Sequence, residues 1–259
     1  MNFDFSDGHK LLVGMVHLLP LPGTYRSKNT IKTVIERAVT DAKILESCGF
    51  GAILIENEDL CNSPKMTKLQ FASMSIVVNI ISNTVLIPVG VTCGCTNYEE
   101  SLSIAFICGC DFIRTPIFVD TLVNYNGVIA PCSSQLITYR KQIGAEKIKV
   151  FADIQVKHYH MLDKSIDITE SALWAQRQGA DAIVVTGTST GVETKIDDIE
   201  RVKKQVDIPV AVGSGVSDCN IKEQAKFADI FIIGTNIRKN GKMSEPIDSS
   251  KASKIIKAL

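Results

Sequence analysis

Eight apolar runs rich in β-branched residues alternate with eight segments of helical periodicity along the 259 residues. Strict alternation of this kind predicts a parallel sheet with right-handed crossovers, and eight units in about 250 residues match the size of a (β/α)8 barrel. The predicted strands are 10–18, 52–57, 85–92, 111–116, 150–160, 181–187, 208–215 and 228–235. The predicted helices are 30–48, 67–81, 98–108, 133–143, 168–178, 196–206, 221–227 and 249–259, and 117–131 is an irregular stretch.

A doubly wound open sheet is the rival architecture for the same alternation. That fold would need a glycine-rich, dinucleotide-binding turn after its first strand. Residues 18–23 read Leu-Leu-Pro-Leu-Pro-Gly instead, which cannot cradle a pyrophosphate in that way. With no linker or low-complexity tract in the sequence, we predict one α/β domain over 1–259, a single (β/α)8 TIM barrel.

Charge and composition exclude several functional classes. Lysine and arginine number 28 and aspartate and glutamate number 28, so the chain lacks the basic excess of a nucleic-acid or anionic-membrane binder. The first ten residues do not form a secretory signal, and no apolar stretch approaches the length of a membrane span. The eight cysteines lack zinc-ligand spacing and are expected to be reduced. We therefore expect a cytoplasmic protein with no cofactor and no metal-ligand set.

The predicted fifth strand carries an unusual row of polar residues. Alternation over 150–160 puts Phe151, Asp153, Gln155 and Lys157 on one face, pointing into the barrel. Burying unpaired charges costs several kcal/mol per ion, so a chain rarely keeps such residues inside a barrel for packing alone. The inward-facing polar residues of this strand therefore indicate a functional site. An ion pair between Asp153 and Lys157 is the expected ground state, and an imine-forming Lys157 is the alternative.

Active sites of such barrels lie at the carboxyl-terminal ends of the strands. Polar residues collect at those ends, where His17, Glu56, Asp153 and Lys157 are candidates for acid–base catalysis. Glu56 and Asp153 are alternatively a pair that could share a divalent cation. The ligand-binding candidates at the same ends are Asn57, Arg114, Gln155, Thr186, Ser214 and Thr235.

Glycines follow the last two predicted strands, at Gly213-Ser214-Gly215 and at Gly234-Thr235. Barrels commonly bind phosphate with these two loops, because glycines let backbone N–H groups approach the anion. The alternative is that the glycines only make tight turns. A third small polar loop, Gly187 to Gly191, follows strand six and could contribute to the same site. These loops predict a phosphorylated small-molecule ligand.

Several stretches of the chain form a recognisable set when they are taken together. They are Gly14–Leu18 with Leu21–Gly23, Ile55–Asn57, Phe112–Arg114, Ala152–His158, Thr186-Gly187 with Thr190-Gly191, Gly213–Val216 and Gly234-Thr235. In order and over nearly the whole chain, these segments resemble the BtpA/SgcQ family. The resemblance implies a barrel similar to the ribulose-phosphate-binding group, and the family takes its name from a photosystem I biogenesis factor.

Two loops depart from the family pattern. Residues 57–62 replace an Asn-Phe-Gly-Asp-type loop, and 93–97 replace a Leu-Arg-Asn-Asp-like segment. If the missing arginine and aspartate touch the substrate in the family, this chain acts on a different substrate or has lost activity. The retained Arg114, Asp153, Lys157 and His17 argue against complete loss.

The leading hypothesis is an enzyme that acts on a phosphosugar or nucleotide-like compound, with Arg114 neutralising a second anionic group. Isomerisation, carbon–carbon cleavage and glycosidic cleavage all stay open. One alternative, implied by the resemblance, is a non-catalytic assembly or stability factor for a membrane complex, and another is a phosphometabolite sensor. Because barrels of this size often associate, a homo-oligomer is a further expectation.

Overall fold

The computed structural model describes residue 5 and residues 8–57 and 65–259. Residues 58–62, in which the sequence departs from the family pattern, lie outside these ranges. The strands are β1 (Leu11–His17), β2 (Ala52–Glu56), β3 (Val89–Thr92), β4 (Phe112–Thr115), β5 (Leu122–Asn124), β6 (Gly127–Ile129), β7 (Lys149–Asp153), β8 (His160–Met161), β9 (Ala182–Val185), β10 (Val210–Val212) and β11 (Ile230–Ile233). The helices are α1 (Ile31–Cys48), α2 (Lys68–Ser82), α3 (Tyr98–Ile107), α4 (Ser133–Gln142), α5 (Ile168–Arg177), α6 (Ile196–Lys203), α7 (Ile221–Gln224) and α8 (Ser249–Ala258).

Eight parallel strands close into a barrel in the order β1-β11-β10-β9-β7-β4-β3-β2, which confirms the predicted fold class. Strands that are buried on both faces explain the continuous apolar runs of the sequence. Inside the barrel, the rings of Phe112 and Phe151 stack with centroids 4.6 Å apart. A second and larger set of buried apolar side chains packs between the strands and the surrounding helices.

The predicted strand 150–160 is wrong beyond Asp153. β7 ends at Asp153, and Gln155 adopts a left-handed backbone conformation with φ of 43°. A residue with positive φ breaks the alternation of an extended strand, so Gln155 and Lys157 do not continue the inward face of Asp153. Lys157 instead lies in the loop that follows the strand.

The stretch 117–131, predicted as irregular, contains regular structure. β5 pairs antiparallel with β6 and with β8, forming a three-stranded sheet outside the barrel that we call the rim sheet (122–124, 127–129 and 160–161). Its two-residue turn, Tyr125-Asn126, leads into Gly127 at φ of 101°. A glycine at the end of a short turn between two apolar runs is a hairpin signal that sequence reasoning missed. The rim sheet therefore joins the loops after β4 and β7.

The seam between the last and first units of the barrel is held by a buried ion pair. Arg238, fully buried just after β11, donates from Nη1 to Oδ2 of Asp41 on α1 at 3.1 Å and from Nη2 to the Met15 carbonyl on β1 at 3.0 Å. Asp41 also accepts from Arg37 and from the N–H of Ile247. The segment that follows β11 is thus fastened to β1 and α1.

Candidate active site

A cavity of about 350 Å³ opens at the carboxyl-terminal mouth of the barrel. Nine of the residues predicted for the site line it: His17, Glu56, Arg114, Lys157, Gly213, Ser214, Gly215, Gly234 and Thr235. They come from β1, β2 and β4 and from the loops after β7, β10 and β11, so the barrel brings together residues that are more than 200 positions apart. Five predicted residues do not line the cavity: Asn57, Asp153, Gln155, Thr186 and Gly187.

Arg114 and Asp153 form a buried bidentate ion pair at the cavity floor. Nε of Arg114 donates to Oδ1 of Asp153 at 2.8 Å, and Nη2 donates to Oδ2 at 2.7 Å. Burial acts to lower the pKa of Arg114, but the charge and hydrogen bonds of Asp153 outweigh it and raise that pKa above its ordinary value. Asp153 therefore pairs with Arg114 and not with Lys157, because two parallel N–H groups fit both of its oxygens.

That pairing also bears on the alternative of a cation shared by Glu56 and Asp153. Both oxygens of Asp153 accept hydrogen bonds from Arg114, so a cation there would share this carboxylate with the guanidinium. Among the described residues, no group of three or more histidine, cysteine, aspartate or glutamate side chains could hold a metal ion.

His17 and Glu56 lie side by side at the ends of neighbouring strands. Nε2 of His17 is 3.5 Å from Oε2 of Glu56, and the buried Nδ1 bonds to no residue in the described part of the chain. Burial lowers the pKa of His17 well below 6.5, and the positive charges of Arg238, Lys157 and Arg114 lower it further. The imidazole is consequently neutral at physiological pH and can accept a proton.

Lowering the pH is expected to destabilise the fold through His17. The unfolded state binds more protons than the folded state at pH values between the depressed pKa of folded His17 and the ordinary histidine pKa of about 6.5. The contribution of neutral His17 to the free energy of unfolding is therefore complete above about pH 6.5. It is lost as the pH falls towards the pKa of His17 in the folded protein. Urea unfolding between about pH 7.5 and 5 should show this slope, and His17→Asn should reduce it.

The matched control is His160→Asn, because His160 is an exposed side chain on the rim sheet. This variant should keep the wild-type slope. An undiminished slope in His17→Asn would contradict the assignment of the effect to His17.

Lys157 reaches the cavity because two side chains from other loops hold its turn. Oδ2 of Asp120 accepts the Gln155 N–H at 2.6 Å, and Oγ1 of Thr186 accepts the Lys157 N–H at 3.1 Å. The Gln155 side chain turns away and donates to the Ile166 carbonyl. Gln155 and Thr186 thus support the loop, and Asp120, whose pKa is raised by burial, is a supporting residue that sequence reasoning missed.

Gly215 has its backbone in the left-handed region, with φ of 67°, and a Cβ there would lie 2.4 Å from the backbone N of Glu193. The loop after β10 therefore packs closely on the loop after β9. The hydroxyl of Ser214 donates to the Ser189 carbonyl at 3.0 Å. Within the described ranges, the backbone N–H groups of Ser214 and Gly215 donate to no other residue. Both residues line the cavity.

Two other residues predicted for the site, Asn57 and Gly187, support the structure of the loops instead of lining the cavity. Asn57 is buried and donates from Nδ2 to the Leu19 carbonyl at 3.0 Å. A Cβ on Gly187 would lie 2.4 Å from the carbonyl oxygen of Val192, so this glycine allows the loop after β9 to fold back on itself. Neither residue faces the cavity.

The cavity wall also contains residues that sequence reasoning did not select. They include Asn124, Tyr125 and Tyr159 from the rim sheet and its flanks, with Asn236 and Met243 from the segment after β11. Nε2 of His158 lies 2.9 Å from Oγ1 of Thr190, which links the loops after β7 and β9. Gly127, at the end of the hairpin turn, is the sequence signal that could have indicated this wall.

Comparisons of the sequence with family models and with known proteins indicate the same family. The BtpA family model matches residues 8–259. An uncharacterized protein from Methanocaldococcus jannaschii is 36% identical over 95% of this chain and 94% of its own length. The photosystem I biogenesis protein BtpA of Synechocystis is 29% identical over 99% of this chain and 90% of its own.

Among solved structures, (S)-3-O-geranylgeranylglyceryl phosphate synthase from Thermoplasma acidophilum, in complex with its substrate sn-glycerol-1-phosphate, superposes with a TM-score of 0.66. The match covers 98% of this chain and 95% of the other at 15% sequence identity, which establishes a shared barrel fold. No helix in the described ranges is both long and apolar enough to cross a membrane.

Proposed function

The chain belongs to the BtpA family, and on that basis we propose that it is an enzyme acting on a small phosphorylated metabolite bound at the barrel mouth. The observation that carries the proposal is that Ser214 and Gly215 line the cavity and that their N–H groups donate to no described residue, beside the loop at Gly234-Thr235. Loops after the last two barrel strands are the usual place for a phosphate group in this fold. The glycerol-phosphate substrate of the similar synthase agrees with this choice of ligand class.

The charged groups of the site suit a phosphate at that position. Lys157 lines the same cavity and brings a positive charge, while Asp153 offsets much of the charge of Arg114. Backbone N–H groups contribute partial positive charge without adding a titratable group. We therefore assign phosphate binding to the two loops and to Lys157.

The catalytic assignment is proton transfer by His17 and Glu56. A neutral imidazole can remove a proton from the substrate, and the adjacent carboxylate stabilises the imidazolium that forms. The Cε1 atom of His17 would lie 2.8 Å from a Cβ on residue 234, so Gly234 lets the ring sit against the phosphate loop. Asp153 serves by orienting Arg114, and Lys157 stays a candidate both for anion binding and for imine formation.

Introducing a negative charge beside the phosphate loops should abolish ligand binding. Thr235 lines the cavity and is half-buried, so Thr235→Asp places a carboxylate where the phosphate is proposed to bind. Repulsion at about 4 Å is worth several kcal/mol at the effective dielectric of such a site. We expect sugar phosphates and nucleotides to raise the Tm of the wild type and not that of Thr235→Asp.

Thr235→Asn is the matched control, because it has nearly the same shape as the aspartate variant without the charge. It should keep most of the ligand-dependent rise in Tm. If no phosphorylated compound stabilises the wild type, or if the two variants respond alike, the phosphate site is refuted.

A second candidate function is a non-catalytic assembly factor, as the name of the Synechocystis relative suggests. Large apolar side chains are exposed on the outer helices, at Leu69 and Ile76 of α2 and at Phe106 and Ile107 of α3. Such side chains can form a partner surface. A stoichiometric partner that is retained by Lys157→Ala and lost on Ile107→Asp would favour this candidate over catalysis.

A further inference from the structure

The rim sheet lies across the cavity from part of the proposed phosphate site. In the barrel order, β4 stands four places from β11 in a ring of eight, and the hairpin of β5 and β6 follows β4. A ligand whose phosphate binds at Gly234-Thr235 therefore extends its other end towards the rim sheet. The side chains of that wall should therefore contact the end of the ligand that is farthest from the phosphate, and their polarity indicates the chemical groups at that end.

The register of the rim sheet shows which side chains face inwards. Leu122 pairs with Ile129 and Met161, is buried, and packs with Ile117 and Val156 in a small apolar cluster. Because side chains alternate along a strand, Asn124 shares the face of Leu122, and it lines the cavity. The cluster packs the rim sheet against the loops that follow β4 and β7.

The wall is mainly aromatic and apolar. Tyr125 and Tyr159 line it together with Val156, and Asn124 supplies an amide. Lys157 and His158, which lie between Val156 and Tyr159 in the chain, line the same cavity. Tyr159 packs partly against the apolar cluster, whereas Tyr125 is 79% exposed at the edge of the cavity. An exposed ring at the edge of a concave site offers a stacking surface to a flat ligand group, and aromatic contacts favour such groups over saturated ones.

We propose that the ligand is a phosphate ester that carries an aromatic or heteroaromatic ring, with the ring held against Tyr125 and Tyr159 and its polar edge at Asn124. This inference rests on the proposed phosphate site and narrows its ligand from phosphorylated metabolites in general to ring-bearing ones. A small sugar phosphate would leave the tyrosine wall uncovered. The cavity of about 350 Å³ lies within the usual range for sites that enclose a small ligand.

Isothermal titration calorimetry with three simple probes tests the inference: methyl phosphate, cyclohexyl phosphate and phenyl phosphate. Phenyl phosphate should bind about 10-fold more tightly than methyl phosphate, and cyclohexyl phosphate should fall between them. Tyr125→Ala should remove most of the preference for phenyl phosphate and leave the affinity for methyl phosphate unchanged. Tyr25→Ala is the matched control, because Tyr25 is 82% exposed and does not line the cavity.

The outcomes separate this inference from the proposed function. If methyl phosphate and phenyl phosphate bind equally, or Tyr125→Ala weakens both to the same extent, the aromatic wall is refuted and the phosphate site stands. If cyclohexyl phosphate binds as tightly as phenyl phosphate, the wall selects apolar groups and not aromatic ones, and the inference fails in that form. If none of the three binds, the phosphate site itself is refuted and this inference with it.

Discussion

Asp153→Ala is expected to lower the free energy of unfolding by about 3–5 kcal/mol, because it leaves the Arg114 guanidinium buried without its counter-ion. The pair is bidentate, and the two side chains are almost completely inaccessible to water. Arginine cannot relieve the loss by giving up its proton, since its pKa is too high for that in any protein. Urea denaturation followed by circular dichroism measures the loss.

An exposed ion pair gives the matched comparison. Arg201 bonds to Asp167, and both side chains are more than 40% exposed. Arg201→Ala should cost no more than about 1 kcal/mol, the usual range for surface pairs. Replacing both buried partners in the double variant Arg114→Met with Asp153→Leu should recover most of the stability lost in Asp153→Ala. If Asp153→Ala and Arg201→Ala lower the free energy of unfolding equally, burial does not make the Arg114–Asp153 pair more important for stability than an exposed pair.

Asp41→Ala is expected to have a comparably large effect at a different place. Asp41 and Arg238 are both fully buried, and the same carboxylate accepts the N–H of Ile247. Its removal leaves the buried guanidinium of Arg238 without the carboxylate that balances its charge and the buried N–H of Ile247 without its acceptor, and it should cost about 3–5 kcal/mol. The segment 239–248 should also become more sensitive to trypsin, which can cut after Lys239 and Lys242.

A second variant on the same helix serves as the control. Glu36 of α1 pairs with Lys32 at the surface, where both side chains are well exposed. Glu36→Ala should leave the unfolding free energy within about 1 kcal/mol of wild type and the trypsin pattern unchanged. If Asp41→Ala behaves like Glu36→Ala in both measurements, the buried pair does not hold the seam of the barrel.

The architecture could be predicted from the sequence because it depends on local patterns. Apolar runs that alternate with helical periodicity are sufficient to indicate a parallel barrel, and the topology then assigns the site to the carboxyl-terminal strand ends. Residues close to a strand end, such as His17 and Glu56, were therefore placed in the site without knowledge of any contact. The glycines after β10 and β11 were found by the same reasoning.

The errors arose where the backbone depends on distant residues. The turn at Gln155 is stabilised by Asp120, which is 35 positions earlier, and no local pattern around Gln155 signals it. Arg114 and Asp153 are 39 positions apart, so period-2 alternation favoured the nearer Lys157 as the partner of Asp153. The rim sheet was missed for a similar reason, since β8 has only two residues and pairs with β5 across α4 and β7.

The order of the strands in the chain also has a consequence for synthesis. The ribosome makes the loops at 213–215 and 234–235 after the seventh and eighth barrel strands, and the pairing of β11 with β1 closes the barrel only when that eighth strand is available. Until then, β1 presents an unpaired edge, which is the part of a sheet most prone to association with other chains. A metabolite held by those loops could not protect a nascent chain. It would stabilise only finished molecules, so its concentration would govern the lifetime of the mature protein and not the yield of folding.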